Sequence, residues 1–230
     1  MPTPPRLGPR LRAVADRILP DRPFADVGTD HAHLPIAVVH ESKVPSALAC
    51  DVGEAPLEVA RTNVRRFGLA DRIELRLGDG LAALAGDRPA TVTVCGMGGY
   101  QIGQLLRRGP VDGIERLVLA PNNAWGAMRA ALTELGFGVV DEEAIVDGER
   151  IYLVLAAEPG RGHPIDDEVD REIGPCFRRR PVSAPLRRWA EGELRRVEEV
   201  IASIPAAHAD RRAGFESRAI LLRELLNRAG

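Results

Sequence analysis

Four short apolar runs in this chain stop at glycine or aspartate, and those stops are where ligand chemistry can be placed. The run in Phe24-Ala25-Asp26-Val27 gives way to Gly28-Thr29-Asp30-His31-Ala32-His33-Leu34-Pro35. Residues 46–50 end at Asp51, residues 72–77 at Gly78-Asp79-Gly80, and residues 90–95 at Gly96-Met97-Gly98-Gly99. Ligands of open α/β sheets bind outside the carboxyl ends of the strands, where a glycine lets backbone approach them. Asp51, about 20 residues beyond the first glycine loop, suits the two hydroxyls of a ribose, because one carboxylate accepts both hydrogen bonds. A cofactor containing a nucleoside follows. The first loop lacks the G-x-G-x-x-G pattern that holds a pyrophosphate on backbone donors. Its carboxylates, Asp26 and Asp30, instead attract cationic groups such as the amine and sulfonium of S-adenosylmethionine. His31 and His33 have no third and fourth ligand at a recognisable spacing, so no metal site is expected, and a place in the cofactor loop explains them better.

Elements that position such stops can be read from pattern. A helix is expected over 55–66, with Pro56 in its first turn, a fifth strand over 117–120 and a helix over 124–135. Two apolar-rich runs, 137–146 and 150–157, flank Asp147-Gly148 and predict a terminal antiparallel hairpin. Pro159-Gly160-Arg161-Gly162 then breaks the pattern. The boundary is placed there: 1–160 as a cofactor-binding α/β domain and 161–230 as a helical extension. In the extension Ser183 is a candidate N-cap, followed by Leu186, Ala190, Leu194, Val197, Ile201 and Ile204 on one helix face. A second helix over 210–228 carries Phe215, Ala219, Leu222 and Leu226, so the pair predicts an antiparallel helical hairpin. Arg178-Arg179-Arg180, Arg187-Arg188 and Arg195-Arg196 crowd seven arginines into this region. They read either as a solvated face with nearby acidic partners or as phosphate ligands.

With 230 residues, 45% of them hydrophobic, the chain can bury a sizeable core. Its net charge of −2 does not exclude a nucleic-acid partner, since the distribution of charge decides that. Cys50, Cys95 and Cys176 form no C-x-x-C pair, and no apolar leader or membrane-length run is present, so a reducing, cytoplasmic setting is expected.

The segments Ala25 to Pro35, Leu77 to Leu81, Val94 to Gly99, Ala120 to Asn122, and Gly174-Pro175 with Trp189 resemble the bacterial tRNA (adenine-N1)-methyltransferases of the TrmK type, over most of the chain from Leu7 onward. The resemblance implies a Rossmann-like seven-stranded class I methyltransferase sheet with a C-terminal helical, coiled-coil-like extension. It further implies S-adenosylmethionine as donor and adenine at position 22 of the tRNA D-arm region as acceptor. Residues expected at the donor are Asp26, Gly28, Asp30, His31, Asp51, Asp79, Gly80, Gly96, Met97 and Gly98, with Asp51 on the ribose and Asp79 on the adenine amine. Asp30 and Asn122 are expected at the transfer step: Asp30 placed against developing positive charge, Asn122 either on the adenine edge or as a helix cap. Arg178, Arg179, Arg180, Arg187 and Arg188 are expected on tRNA phosphates. Tyr100 either stacks on a base or packs in the core. The asparagine-proline-proline-aromatic pattern of many amino-methyltransferases is absent after the fourth strand, which argues against an exocyclic amine as acceptor. Two rival functions are a class I methyltransferase for a small molecule or protein, and a tRNA-binding protein without catalysis on the same fold.

Overall fold

Phe24, Ala25, Asp26 and Val27 are buried along their whole length, as a strand covered by helices on both faces must be, and they form the centre of the sheet. In the computed structural model, which describes residues 5–205 and 208–228, the chain runs α1 (Pro9–Arg17), β1 (Phe24–Val27), α2 (His33–His40), β2 (Ala47–Asp51), α3 (Glu54–Arg66), β3 (Ile73–Leu77) and a 3₁₀ turn (Gly80–Leu84). It continues through β4 (Thr91–Cys95), α4 (Gly99–Arg108), β5 (Arg116–Ala120), α5 (Trp125–Glu134), β6 (Phe137–Asp147) and β7 (Arg150–Pro159), then α6 (Glu168–Glu172), α7 (Pro175–Arg179), α8 (Ala184–Ser203) and α9 (Ala209–Asn227). Met1 to Pro4, which carry the expectation that no leader is present, lie outside the described residues. Among the described residues no helix is long and apolar enough to cross a membrane.

The seven strands lie in the order β3-β2-β1-β4-β5-β7-β6. The first five are parallel and β7 is antiparallel to both β5 and β6. The chain moves outward from β1 to β3, returns to the centre and moves the other way through β4 and β5. That reversal opens a crevice at the carboxyl ends of β1 and β4. The hairpin turn sits one residue later than the sequence suggests. Asp147 pairs with Arg150, so the loop is Gly148-Glu149, with Gly148 at φ 61°.

Ser183 caps α8, its hydroxyl oxygen accepting from the Leu186 N–H. Helices α8 and α9 pack against each other as a hairpin, and they also join the core of the sheet. Leu186, Ala190, Val197, Ala219, Leu222 and Leu225 are buried in the same apolar cluster as Val92, Val94, Leu117 and Leu153. Trp125 of α5 stacks on Trp189 of α8 with ring centroids 4.3 Å apart and planes within 12°. The change of architecture near residue 160 is therefore a change from sheet to helices over one continuous core.

The join is fastened by a buried ion pair. Arg129 on α5 and Glu142 on β6 both have fully buried side chains and meet at 2.9 Å. Glu142 Oε1 also accepts from the backbone N–H groups of Cys176 and Phe177, at 2.8 and 3.2 Å. Arg129 Nη1 donates to the carbonyl of Arg171 at 3.0 Å. Charges this deep are tolerable only when both are hydrogen-bonded, and here the partners come from the segment linking sheet and hairpin.

Candidate active site

Gly28, Asp30 and Ala32 all have positive φ, at 74°, 52° and 56°. For aspartate and alanine this conformation is uncommon, and it is held here by the surroundings. The Gly28 and Thr29 N–H groups donate to the Cys50 carbonyl at 2.9 and 3.0 Å. The Asp30 N–H donates to Asp51 Oδ2 at 3.1 Å. Beneath the loop, Asp26 accepts from the Thr93 hydroxyl at 2.6 Å and the Thr29 hydroxyl at 2.8 Å. Burial pushes its pKa up, and the two hydroxyls oppose that shift. Asp26 thus braces the loop from below, while Asp30 stands exposed at its crest, 3.4 Å from His31 Nε2. Burial likewise pushes the Cys50 thiol up to about 12 and the Cys95 thiol upward. Neither behaves as a thiolate nucleophile at neutral pH.

A cavity of about 420 Å³ lies on the β2 and β3 side of the crevice, within the ~300–1,000 Å³ of small-molecule sites. Its walls include Gly28, Asp51, Val52, Asp79, Gly80 and Met97, with Gln101, Gln104 and Arg108 from α4 opposite. Glycine is needed at position 28 on two counts: its positive φ, and a Cβ there would stand 2.5 Å from Met97 Cε. Asp51 is oriented by two backbone donors, Asp30 N–H to one oxygen and Gly53 N–H to the other at 2.9 Å. A carboxylate has about four acceptor positions, so roughly one on each oxygen stays open, the pair a vicinal diol requires. Val52 is exposed beside it and offers an apolar surface for a flat base.

A smaller recess of about 150 Å³ shares Gly28 with this cavity and extends the other way, along Arg10, Asp26, Asp30, His31, Cys95 and Gly96. The expected donor residues therefore divide. Gly28, Asp51, Asp79, Gly80 and Met97 line the larger cavity, whereas Asp26, Asp30, His31 and Gly96 line the recess. Gly98 lines neither. Its N–H donates to Gln101 Oε1 at 3.0 Å and starts α4. Next to it a Cβ on Gly99 would meet the Ala124 carbonyl oxygen at 2.1 Å, so this glycine lets the loops after β4 and β5 touch. Across that contact Asn122 donates from Nδ2 to the Gly96 carbonyl. Asn122 is not a helix cap: α5 begins after Ala124, and no side chain caps it. Tyr100 is 71% exposed, which removes core packing as its role. Among the described residues no cluster of three or more His, Cys, Asp or Glu is arranged to hold a metal.

Beyond Asn122 a third cleft, of about 530 Å³, runs between the β6–β7 turn and α8. Arg150, Arg188, Arg195, Arg196 and Arg218 line it, against the acidic residues Glu149 and Glu193. Arg218 bridges Glu172 and Glu193, and Arg196 pairs with Glu193. The side chains of Arg150 and Arg195 have no carboxylate partner among the described residues. Of the arginines expected on phosphate, only Arg188 opens on this cleft; Arg187 lies half-buried on the same helix. Arg178, Arg179 and Arg180 turn elsewhere. Arg178 pairs with Asp167 at 2.7 Å, Arg179 reaches Asp170 at 3.4 Å, and Arg180 pairs with Asp141 at 2.6 Å. Their acidic partners come from other segments, which neither reading of the run anticipates. Arg10 and Tyr152, 142 residues apart in sequence, meet beside Asn122 with no local signal to announce it.

Comparison with known proteins agrees with this geometry. A methyltransferase domain family matches residues 7–155. The tRNA (adenine(22)-N(1))-methyltransferase of Bacillus subtilis is 30% identical over 229 residues, covering 97% of this chain and 94% of that protein. The crystal structure of the B. subtilis m1A22 tRNA methyltransferase TrmK superposes with a TM-score of 0.86 at 26% identity, over 96% of this chain and 99% of that one. Streptococcus pneumoniae Sp1610 in complex with S-adenosyl-L-methionine superposes with a TM-score of 0.84 at 31% identity, over 94% and 98%. The strand order, the crevice at the β1–β4 reversal and the match along nearly the whole chain lead to one assignment: the chain belongs to the TrmK family of tRNA (adenine(22)-N(1))-methyltransferases.

Proposed function

We propose that this protein transfers a methyl group from S-adenosylmethionine to N1 of adenine 22 in tRNA. The observation that carries the proposal is that the donor cavity and the recess along Asp30 and Gly96 share Gly28 as a wall, with Asn122 hydrogen-bonded to the Gly96 carbonyl at the recess's far side. The donor supplies an electrophilic methyl on a sulfonium. Asp51 holds its ribose, Asp79 receives its adenine amine, and Gly28, Gly80, Gly96 and Met97 shape the walls. Asp26 acts through the loop it braces, and His31 contributes to the loop's crest. Residues 1–160 hold the donor, and residues 161–230 form with the β6–β7 turn, which carries Arg150, the arginine cleft offered to RNA.

Neutral adenine N1 carries no proton and has an in-plane lone pair, so the chain needs no general base. What it must do is place N1 in line with the methyl and set oxygens where positive charge grows. Asp30 is the carboxylate available at the recess, and Asn122 faces the acceptor. Because N1 lies on the Watson–Crick edge, a paired adenine must first leave its stack, at a cost of a few kcal/mol. Contacts to the surrounding backbone have to offset that cost. Incubation with labelled S-adenosylmethionine and unmodified tRNA, followed by mapping of N1-methyladenine, tests the function directly. Methyl incorporation into a protein or metabolite but not into tRNA refutes it.

The rate of transfer is expected to be nearly flat above roughly pH 7, since no base has to lose a proton. Asp30→Asn should lower turnover by a few-fold to about tenfold, with donor affinity little changed, because an exposed charge is screened by water. A rate that climbs tenfold per pH unit through neutrality contradicts base-free transfer.

Removal of two cleft arginines that have no carboxylate partner among the described residues, as Arg150→Ala with Arg195→Ala, should weaken tRNA binding and flatten its salt dependence. The slope of log affinity against log salt is expected to fall by ~0.7–0.9 for each phosphate that is no longer neutralised. Donor affinity should be unchanged. An unaltered salt slope in filter binding removes the cleft from the RNA path.

A further inference from the structure

The carboxamide of Asn122 is held at both ends by partners of opposite hydrogen-bonding sense. Nδ2 donates to the Gly96 carbonyl at 2.5 Å, and Oδ1 accepts from Arg10 Nη1 at 3.3 Å. A carbonyl only accepts and a guanidinium only donates, so these partners dictate which end of the amide faces which way. Arg10 is itself held. Its guanidinium lies over the Tyr152 ring, 4.6 Å from the centroid, and its backbone N–H donates to Asp147 Oδ2 at 3.4 Å. Its Nε is buried without a partner. An unpaired buried donor is unfavourable, so packing alone does not recommend arginine at this position.

We propose that Arg10 is a specificity-determining positioning residue, which fixes the Asn122 amide oxygen toward the acceptor and so selects a 6-aminopurine over a 6-oxopurine. The proposal rests on the assignment of adenine N1 as acceptor. After binding Arg10, Asn122 Oδ1 keeps a second lone pair that can accept from the amine adjoining the reacting nitrogen. A 6-oxopurine sets a carbonyl oxygen there instead, two acceptors facing each other, and carries a proton on N1. Reversal of the amide would favour the 6-oxopurine and would also let Nδ2 donate to adenine N1, occupying the lone pair that must attack. Gly96 resists that reversal from one end and Arg10 from the other.

The test uses the full chain with tRNA transcripts carrying adenine or guanine at the acceptor position. Arg10→Ala, Arg10→Lys, Asn122→Ala and the double variant are compared by kcat and KM, together with melting temperature and S-adenosylmethionine affinity. Arg10→Ala is expected to lower kcat on the adenine transcript ~10–30-fold, the scale of removing a hydrogen bond to a charged group. Donor affinity and the salt slope of tRNA binding should be unchanged, and the preference for adenine over guanine should narrow. Arg10→Lys, which still donates, should recover part of the rate. In the Asn122→Ala background, Arg10→Ala should change the rate less than about twofold, because its effect passes through the amide. If the alanine variant does not fold, Arg10→Met keeps the stem against Tyr152 and takes its place. Additive losses in the double variant, an unchanged adenine preference, or a salt slope reduced by ~0.7–0.9 each overturn the proposal, the last by showing that Arg10 binds a phosphate. A wild-type protein that binds donor but methylates neither transcript overturns the acceptor assignment, and the proposal with it.

Discussion

Glu142→Ala is expected to lower the free energy of unfolding by about 3–5 kcal/mol, the usual consequence of leaving one charge of a buried pair without its partner. In this variant Arg129 keeps its charge in a fully buried position and the N–H groups of Cys176 and Phe177 lose their acceptor. Urea unfolding followed by circular dichroism measures the loss as a lower midpoint at similar slope. The same experiment on Arg129→Met with Glu142→Leu should recover much of the stability, since apolar side chains of similar volume need no partner. A loss below ~1 kcal/mol in Glu142→Ala would show that the segment joining sheet and helices is held by something else. The pair also bears on function, because the joint it fastens sets α8, and with it the arginine cleft, against the loop that carries Asn122.

Asp51→Ala is expected to weaken S-adenosylmethionine binding by ~1.5–3 kcal/mol, roughly 10–150-fold in Kd. Two effects add. The ribose loses a charged acceptor, and the N–H groups of Asp30 and Gly53 lose the carboxylate that orients the loop. Asp51→Asn keeps one oxygen acceptor and should lose less. Titration calorimetry with the donor and with free adenosine isolates the nucleoside contribution, because adenosine carries the ribose and the adenine but neither the sulfonium nor the ammonium of the methionine part. Equal donor affinity in wild type and Asp51→Ala removes Asp51 from the ribose.

Most of the sheet is legible in the linear pattern. In a short run such as Phe24 to Val27, Phe24 on one face and Ala25 and Val27 on the other are apolar, so the strand lies between two layers, and the glycine that stops it marks the ligand edge. The 3–4 spacing after Ser183 fixes which face of α8 is apolar, and the cap fixes where the helix begins. Asp51 and Asp79 can be picked out because a strand end is a local feature whose position survives any packing. The hairpin loop is displaced by one residue because Asp147 gains a pairing partner in Arg150, which the dipeptide signal does not register.

The roles of the charged side chains emerge only when distant segments are packed together. Arg178, Arg179 and Arg180 look like a phosphate-binding run, yet carboxylates from β6 and the α6 segment meet them, and no local spacing encodes those encounters. Arg10 lies 112 residues from Asn122 and touches it because Asp147 anchors the start of α1 beside the β6–β7 turn. The repeating backbone pattern, the strand ends and the glycines and carboxylates placed at them are encoded locally, since they follow from periodicity and turn chemistry within a few residues. Which side chains meet across the crevice, and which arginines are left without a carboxylate partner, depends on contacts between residues far apart in the chain, and only folding brings those together.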